Sequence, residues 1–255
     1  MKNGIWILAR FVLLEARRGG LFWLALACIV AAIGLAGFLS RVAVTESLQL
    51  ETAVIGAFLR LCAAFLVAAF AITSTVREAN DGGLELMLSL PISRTAYYLG
   101  KLAGFAACGV AVSACFALPM LYWASPAAVA PWFASLAAEA VLVAAASLFF
   151  ATALASSVAA ITATAGFYLL GRAIAAMQAI GSGPLAPEGV PQRIAQWSLD
   201  LIALLLPRLD AVTRTDWLMY GPPATGEFLA ALAGLAIYIA LLGAAGLFDF
   251  HRRNL

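Results

Sequence analysis

Three ionisable residues, Arg60, Glu139 and Arg172, stand inside long apolar runs of this 255-residue chain. A charge in hydrocarbon is expensive and usually faces the interior of a helix bundle. The spacing predicts that Glu139 pairs with Arg60 or with Arg172 and leaves one positive charge over. Such a group can serve as an ion pair that fixes helix register. It can equally serve as a gate or as a contact for an anionic group, or the arginines can reach the headgroups. Hydrolytic and metal chemistry find little here. His251 is the only histidine and lies in the tail, so neither a Ser-His site nor a His-based metal site inside the apolar runs is expected. The glycines at 181 and 183 flank Ser182 as a turn and fall short of a nucleophile elbow. The chain also lacks the GxxxxGK[ST] phosphate loop.

The elements that hold these charges follow from composition. The chain is 64% hydrophobic and 11% charged, whereas a soluble domain carries roughly 25% charged residues. Runs of about 20 apolar residues recur, each long enough to cross a bilayer. The fold class is therefore an all-α polytopic membrane protein, read as a single domain over 1–255. Six spans are expected near 21–39, 53–75, 99–123, 131–155, 158–180 and 227–248, with a tight turn at Ser156-Ser157. The three charges then lie seven or eight residues from one common end of their helices. Residues 1–19 read as an amphipathic interfacial helix, with Asn3, Arg10 and Arg17 on a seven-residue repeat. Lys2, Arg10, Glu15, Arg17 and Arg18 do not suit a cleaved signal peptide. Cys28, Cys62, Cys108 and Cys115 all fall in apolar runs and read as buried packing residues.

Lysine and arginine placement orients the chain. Nine of these residues fall on the side of the N-terminus and four on the other. Both termini are thus expected in the cytoplasm. The connection 181–226 is then external, and its stretch 194–206 is too short to span. That stretch reads as a re-entrant or interfacial helix ending at Pro207, against the alternative of a disordered loop.

The segment 77–101 is charged and turn-rich, yet it carries an apolar stripe. Asp81 can cap a helix near Leu84, after the freedom given by Gly82-Gly83. Leu84, Met87 and Leu88 share a face, Leu86 and Leu90 extend it, and Pro91 stops the helix. Ser93 can cap the next helix. Either the short helix rests on lipid, or it inserts into a groove of a partner.

Here the chain resembles the ABC-2-type transporter permeases. The likeness lies in Glu78, Gly82, Gly83, Glu85, Leu90, Pro91, Ile92, Ser93, Arg94, Tyr98, Gly100 and Lys101. It extends to the whole layout, including the basic tail. The resemblance implies a type V exporter-like fold, in which the 77–98 region forms a coupling helix against an ATPase. Glu78, Gly82, Gly83, Leu84, Glu85, Met87, Leu88, Pro91 and Arg94 become ATPase-coupling residues. It further implies two permease copies, a homodimer being expected, and two ATPase subunits. ATP and Mg would be bound by the partner chain, with no cofactor or metal on this one, no catalytic residue and no nucleic-acid partner. The expected setting is a bacterial inner membrane. A membrane scaffold without transport, or an intramembrane enzyme built on Glu139, are the rival readings.

Overall fold

The computed structural model describes residues 2–42, 47–82, 93–154, 156–181 and 189–252. These residues are helical throughout, joined by turns. We number the helices α1 (Lys2–Arg18), α2 (Leu21–Val42), α3 (Ser47–Asn80), α4 (Arg94–Met120), α5 (Pro126–Leu154), α6 (Ser157–Gly181), α7 (Val190–Leu205), α8 (Leu209–Val212), α9 (Asp216–Tyr220) and α10 (Thr225–Arg252). Six of them, α2 to α6 and α10, are long and apolar enough to cross a membrane. The expected fold class and span count hold.

The ends differ from expectation in instructive ways. α3 begins at Ser47 rather than 53, because Gln49, Glu51 and Thr52 continue the helix through a polar turn; Thr52 Oγ1 bonds back to the Leu48 carbonyl at 2.6 Å. α5 begins at Pro126 rather than 131, and a proline suits the first turn of a helix. The turn between α5 and α6 falls at the expected serines. Ser93 caps α4 as expected, its Oγ accepting from the Ala96 amide at 3.2 Å. The stretch 194–205 is helical as part of α7, with Leu206 as an extended cap before Pro207. Short helices α8 and α9 then bury Leu209, Val212, Trp217 and Leu218.

The core is built around α5, which packs against α3, α4, α6, α8, α9 and α10. Small residues make this possible. Ala144, Ala145 and Ala146 are fully buried, and a Cβ on Gly109 of α4 would sit 3.1 Å from Ala140. Small residues at helix crossings let backbones approach closely, which is how helices associate in lipid.

The N-terminal helix is pinned to the bundle by one face. Leu8, Val12 and Ala16 are buried and lie along α4. A Cβ on Gly100 would be 2.8 Å from that of Leu8, and one on Gly104 would be 2.6 Å from that of Val12. Gly100 and Gly104 therefore form the four-residue small-residue seam that α1 needs. Arg10, Arg17 and Arg18 stay exposed beside Trp6, Ile7 and Phe11, a mixture suited to a headgroup layer. Gly20, at φ 83°, makes the turn from α1 into α2. Gly104→Val is expected to cost about 1–3 kcal/mol through overpacking, read as a lower melting temperature in detergent. Gly37→Ala, with nothing within 4 Å of its Cβ, should leave that temperature unchanged or raise it.

Candidate functional site: a buried ion-pair centre and a helix-end clamp

Three helices meet at the first cluster, and two of them bring residues one turn apart. α5 supplies Ser135 and Glu139, α6 supplies Tyr168 and Arg172, and α3 supplies Arg60. Arg60 Nη1 donates to Glu139 Oε2 at 2.6 Å, and Nη2 donates to Ser135 Oγ at 3.0 Å. The Tyr168 hydroxyl donates to Glu139 Oε1 at 2.7 Å, and Arg172 Nη1 donates to the Tyr168 oxygen at 3.2 Å. Arg172 also lies 3.6 Å from Glu139 Oε1. The carboxylate thus faces both guanidinium groups, where the sequence left the choice open. The Arg60 guanidinium also sits 5.6 Å from the centre of the Trp132 ring, within cation–π range.

Burial sorts the two arginines. The side chains of Arg60 and Glu139 are 0% and 1% exposed, while that of Arg172 is 27% exposed. With one carboxylate for two guanidinium groups, the cluster is left with a surplus positive charge at its reachable end. The longer α3 and α5 change the expected depth. Arg60 and Glu139 each lie thirteen residues from the first residue of their helix, rather than seven or eight.

The second cluster ties together α1, the end of α3, the start of α4 and the end of α10. Glu78, near the end of α3, forms an ion pair with Lys101 of α4. The Tyr97 hydroxyl donates to Glu78 Oε1 at 2.9 Å. Ser74 of α3 donates to Glu15 of α1 at 2.9 Å. Tyr97 stacks on Phe250 of α10 with ring centroids 5.7 Å apart. Arg94 Nη1 reaches the His251 carbonyl at 3.5 Å. Gly82, at φ 69°, ends α3 as the chain turns away.

Among the expected coupling residues, Glu78, Gly82 and Arg94 therefore lie at the two ends of the 83–92 connection. Gly83, Leu84, Glu85, Met87, Leu88 and Pro91 lie outside the described residues. The Glu78 carboxylate faces Lys101 and Tyr97. Sequence reasoning missed Tyr97, Ser135, Tyr168 and the glycine seam. The repeat Gly100-x-x-x-Gly104 was the signal for the seam, and the i, i+4 spacings to Glu139 and Arg172 were the signal for Ser135 and Tyr168. Among the described residues, no group of three His, Cys, Asp or Glu side chains is placed to hold a metal ion.

Both clusters are charge networks joining helices of an apolar bundle. The family description ABC-2 family transporter protein matches residues 57–255, from within α3 to the C-terminus. The chain belongs to the ABC-2 transporter family. No curated protein matches it. As an ABC-2 protein with six membrane-crossing helices it is a multi-pass transport permease, and ABC-2 membrane proteins generally work with ATPase subunits. The ABC-2 match takes in Arg60, Glu139, Arg172 and the clamp between α3 and α4, and starts after α1 and α2.

Proposed function

We infer that this chain is the membrane half of an ATP-driven exporter. It would act as a homodimer in a bacterial inner membrane, with both termini in the cytoplasm. The observation that carries this reading is the clamp formed by Glu78, Lys101 and Tyr97. It fixes α3 and α4 where the 83–92 connection leaves and re-enters the bundle. A force applied to Leu84, Met87 and Leu88 would therefore pass to two membrane helices together. The sequence has no phosphate loop, so ATP and Mg would be bound by a separate ATPase chain and this chain would not be an enzyme. The excess of Lys and Arg on the side of the N-terminus supports the orientation.

The test is to isolate the chain from its native membrane with its ATPase and to change Leu84, Met87 and Leu88 together to Glu. A buried apolar anchor is worth roughly 2 kcal/mol or more. Permease-dependent ATP hydrolysis should fall by about tenfold or more while the chain's own melting temperature stays put. Recovery of the chain without any ATPase would favour the scaffold reading, and unchanged hydrolysis by the triple variant would remove the coupling role.

A further inference from the structure

Where α1 turns into α2, a groove of about 330 Å³ opens between α2 and α4, and Arg17 of α1 is one of its lining residues. The other walls are apolar: Phe22, Leu26 and Ile29 of α2, with Cys115 of α4 opposite. Positions 22, 25, 26 and 29 share one face of a helix, and buried Ala25 forms the floor. From 22 to 29 the groove follows α2 for about 10 Å. Gly20, at φ 83°, makes the turn and brings the last turn of α1, with Arg17, beside the first turn of α2.

The charge on Arg17 is uncompensated. Its side chain is exposed, and among the described residues no carboxylate pairs with it. Glu15 is the only acidic residue of α1, and it is turned to Ser74 of α3. α2 carries no acidic residue. The groove is thus apolar along its length and cationic where it begins. What covers it follows from α2 itself. That helix is long and apolar enough to cross a membrane, and it turns Trp23, Leu24 and Leu26 outward, Trp23 at 74% exposure. Such side chains face the bilayer, so the neighbour of the groove is lipid.

We propose that this groove holds one anionic phospholipid of the surrounding bilayer, with its phosphate on Arg17 and one acyl chain along α2 against Cys115. A guanidinium matches a phosphate in geometry and forms charge-assisted hydrogen bonds to it. The unpaired positive charge selects a lipid of net negative charge over a zwitterionic one. The proposal needs only that α2 lies in a membrane, so failure of the exporter reading leaves it intact.

The test uses the full chain in nanodiscs of phosphatidylcholine with a trace of photoreactive phosphatidylglycerol. Salt at about 0.5 M screens charges that are not in contact. Labelling is expected on residues 22–29 and on Cys115. Excess unlabelled phosphatidylglycerol should remove it, and excess phosphatidylcholine should not. Arg17→Gln should lower it by about tenfold, the scale of one hydrogen bond to a charged group. Arg18→Gln removes an exposed arginine outside the groove and should leave it unchanged. Leu26→Trp, which fills the groove from its exposed wall, should abolish it with Arg17 still in place. Equal losses from Arg17→Gln and Arg18→Gln would overturn the proposal, because a diffuse basic surface would then explain the attraction. So would equal labelling by photoreactive phosphatidylcholine. Spontaneous crosslinking of Trp23→Cys between two copies, insensitive to phosphatidylglycerol, would give the groove to a second copy and overturn it as well.

Discussion

The Glu139→Leu variant is expected to lose about 3–5 kcal/mol of stability, the cost of breaking a buried ion pair from one side. The residue left behind decides the size. Arg60 is fully buried, and a guanidinium cannot shed its proton to escape. Arg172 lies close by, so removing the carboxylate leaves two cations with only the neutral hydroxyls of Ser135 and Tyr168. Removing Arg60 instead should be milder, because Glu139 keeps Tyr168 at 2.7 Å and Arg172 at 3.6 Å. The expected order of melting temperatures in detergent is wild type, then Arg60→Met, then Glu139→Leu. Combining Arg60→Met with Glu139→Leu should recover much of the loss, since apolar replacements of a buried pair are often neutral or better. An unchanged melting temperature for Glu139→Leu would sink the account of the centre as a structural lock.

A similar asymmetry is expected at the clamp between α3 and α4. Lys101 is 1% exposed and Glu78 is 14% exposed. Glu78→Leu strands the more buried partner and should cost up to about 3–5 kcal/mol. Lys101→Met leaves a carboxylate that still accepts from Tyr97 at 2.9 Å and that water can reach, so its cost should be smaller. A double-mutant cycle should return an interaction energy of about 1–3 kcal/mol, the range for residues in one network. The same variants read out coupling. If the clamp carries force from the 83–92 connection, Glu78→Leu with Lys101→Met should restore stability and still leave ATP hydrolysis poorly linked to the membrane helices. Full recovery of both would reduce the clamp to a packing contact.

The spans were legible because each needs about 20 apolar residues and few protein sequences supply that by chance. Helix ends were less legible. At Ser47–Asn80 the first turns carry Gln49 and Glu51, so hydropathy falls before the backbone hydrogen bonding does. The charge centre was half legible: apolar surroundings single out Arg60, Glu139 and Arg172, but no periodicity within one helix says which neighbour a carboxylate meets. Glu78 illustrates the limit. It lies in a turn-rich segment, while its partner Lys101 belongs to the next helix. The seam between α1 and α4 was written in Gly100 and Gly104, though small residues pack in so many bundles that the spacing names no partner.

The ion pair also sets a schedule. Arg60 and Glu139 are separated by 79 residues, and ribosomes add roughly 5–20 residues per second. For about 4–16 s of synthesis, α3 therefore carries an arginine whose carboxylate has not yet been made. Tyr168 and Arg172 come later still. The nascent chain must wait in a setting that tolerates a lone guanidinium, such as water or the polar interior of an insertion machine. Release of α3 into lipid is then timed by the arrival of α5. A slow stretch of translation between the two would lengthen the exposure of the half-made protein, and Arg60→Met would remove the need to wait.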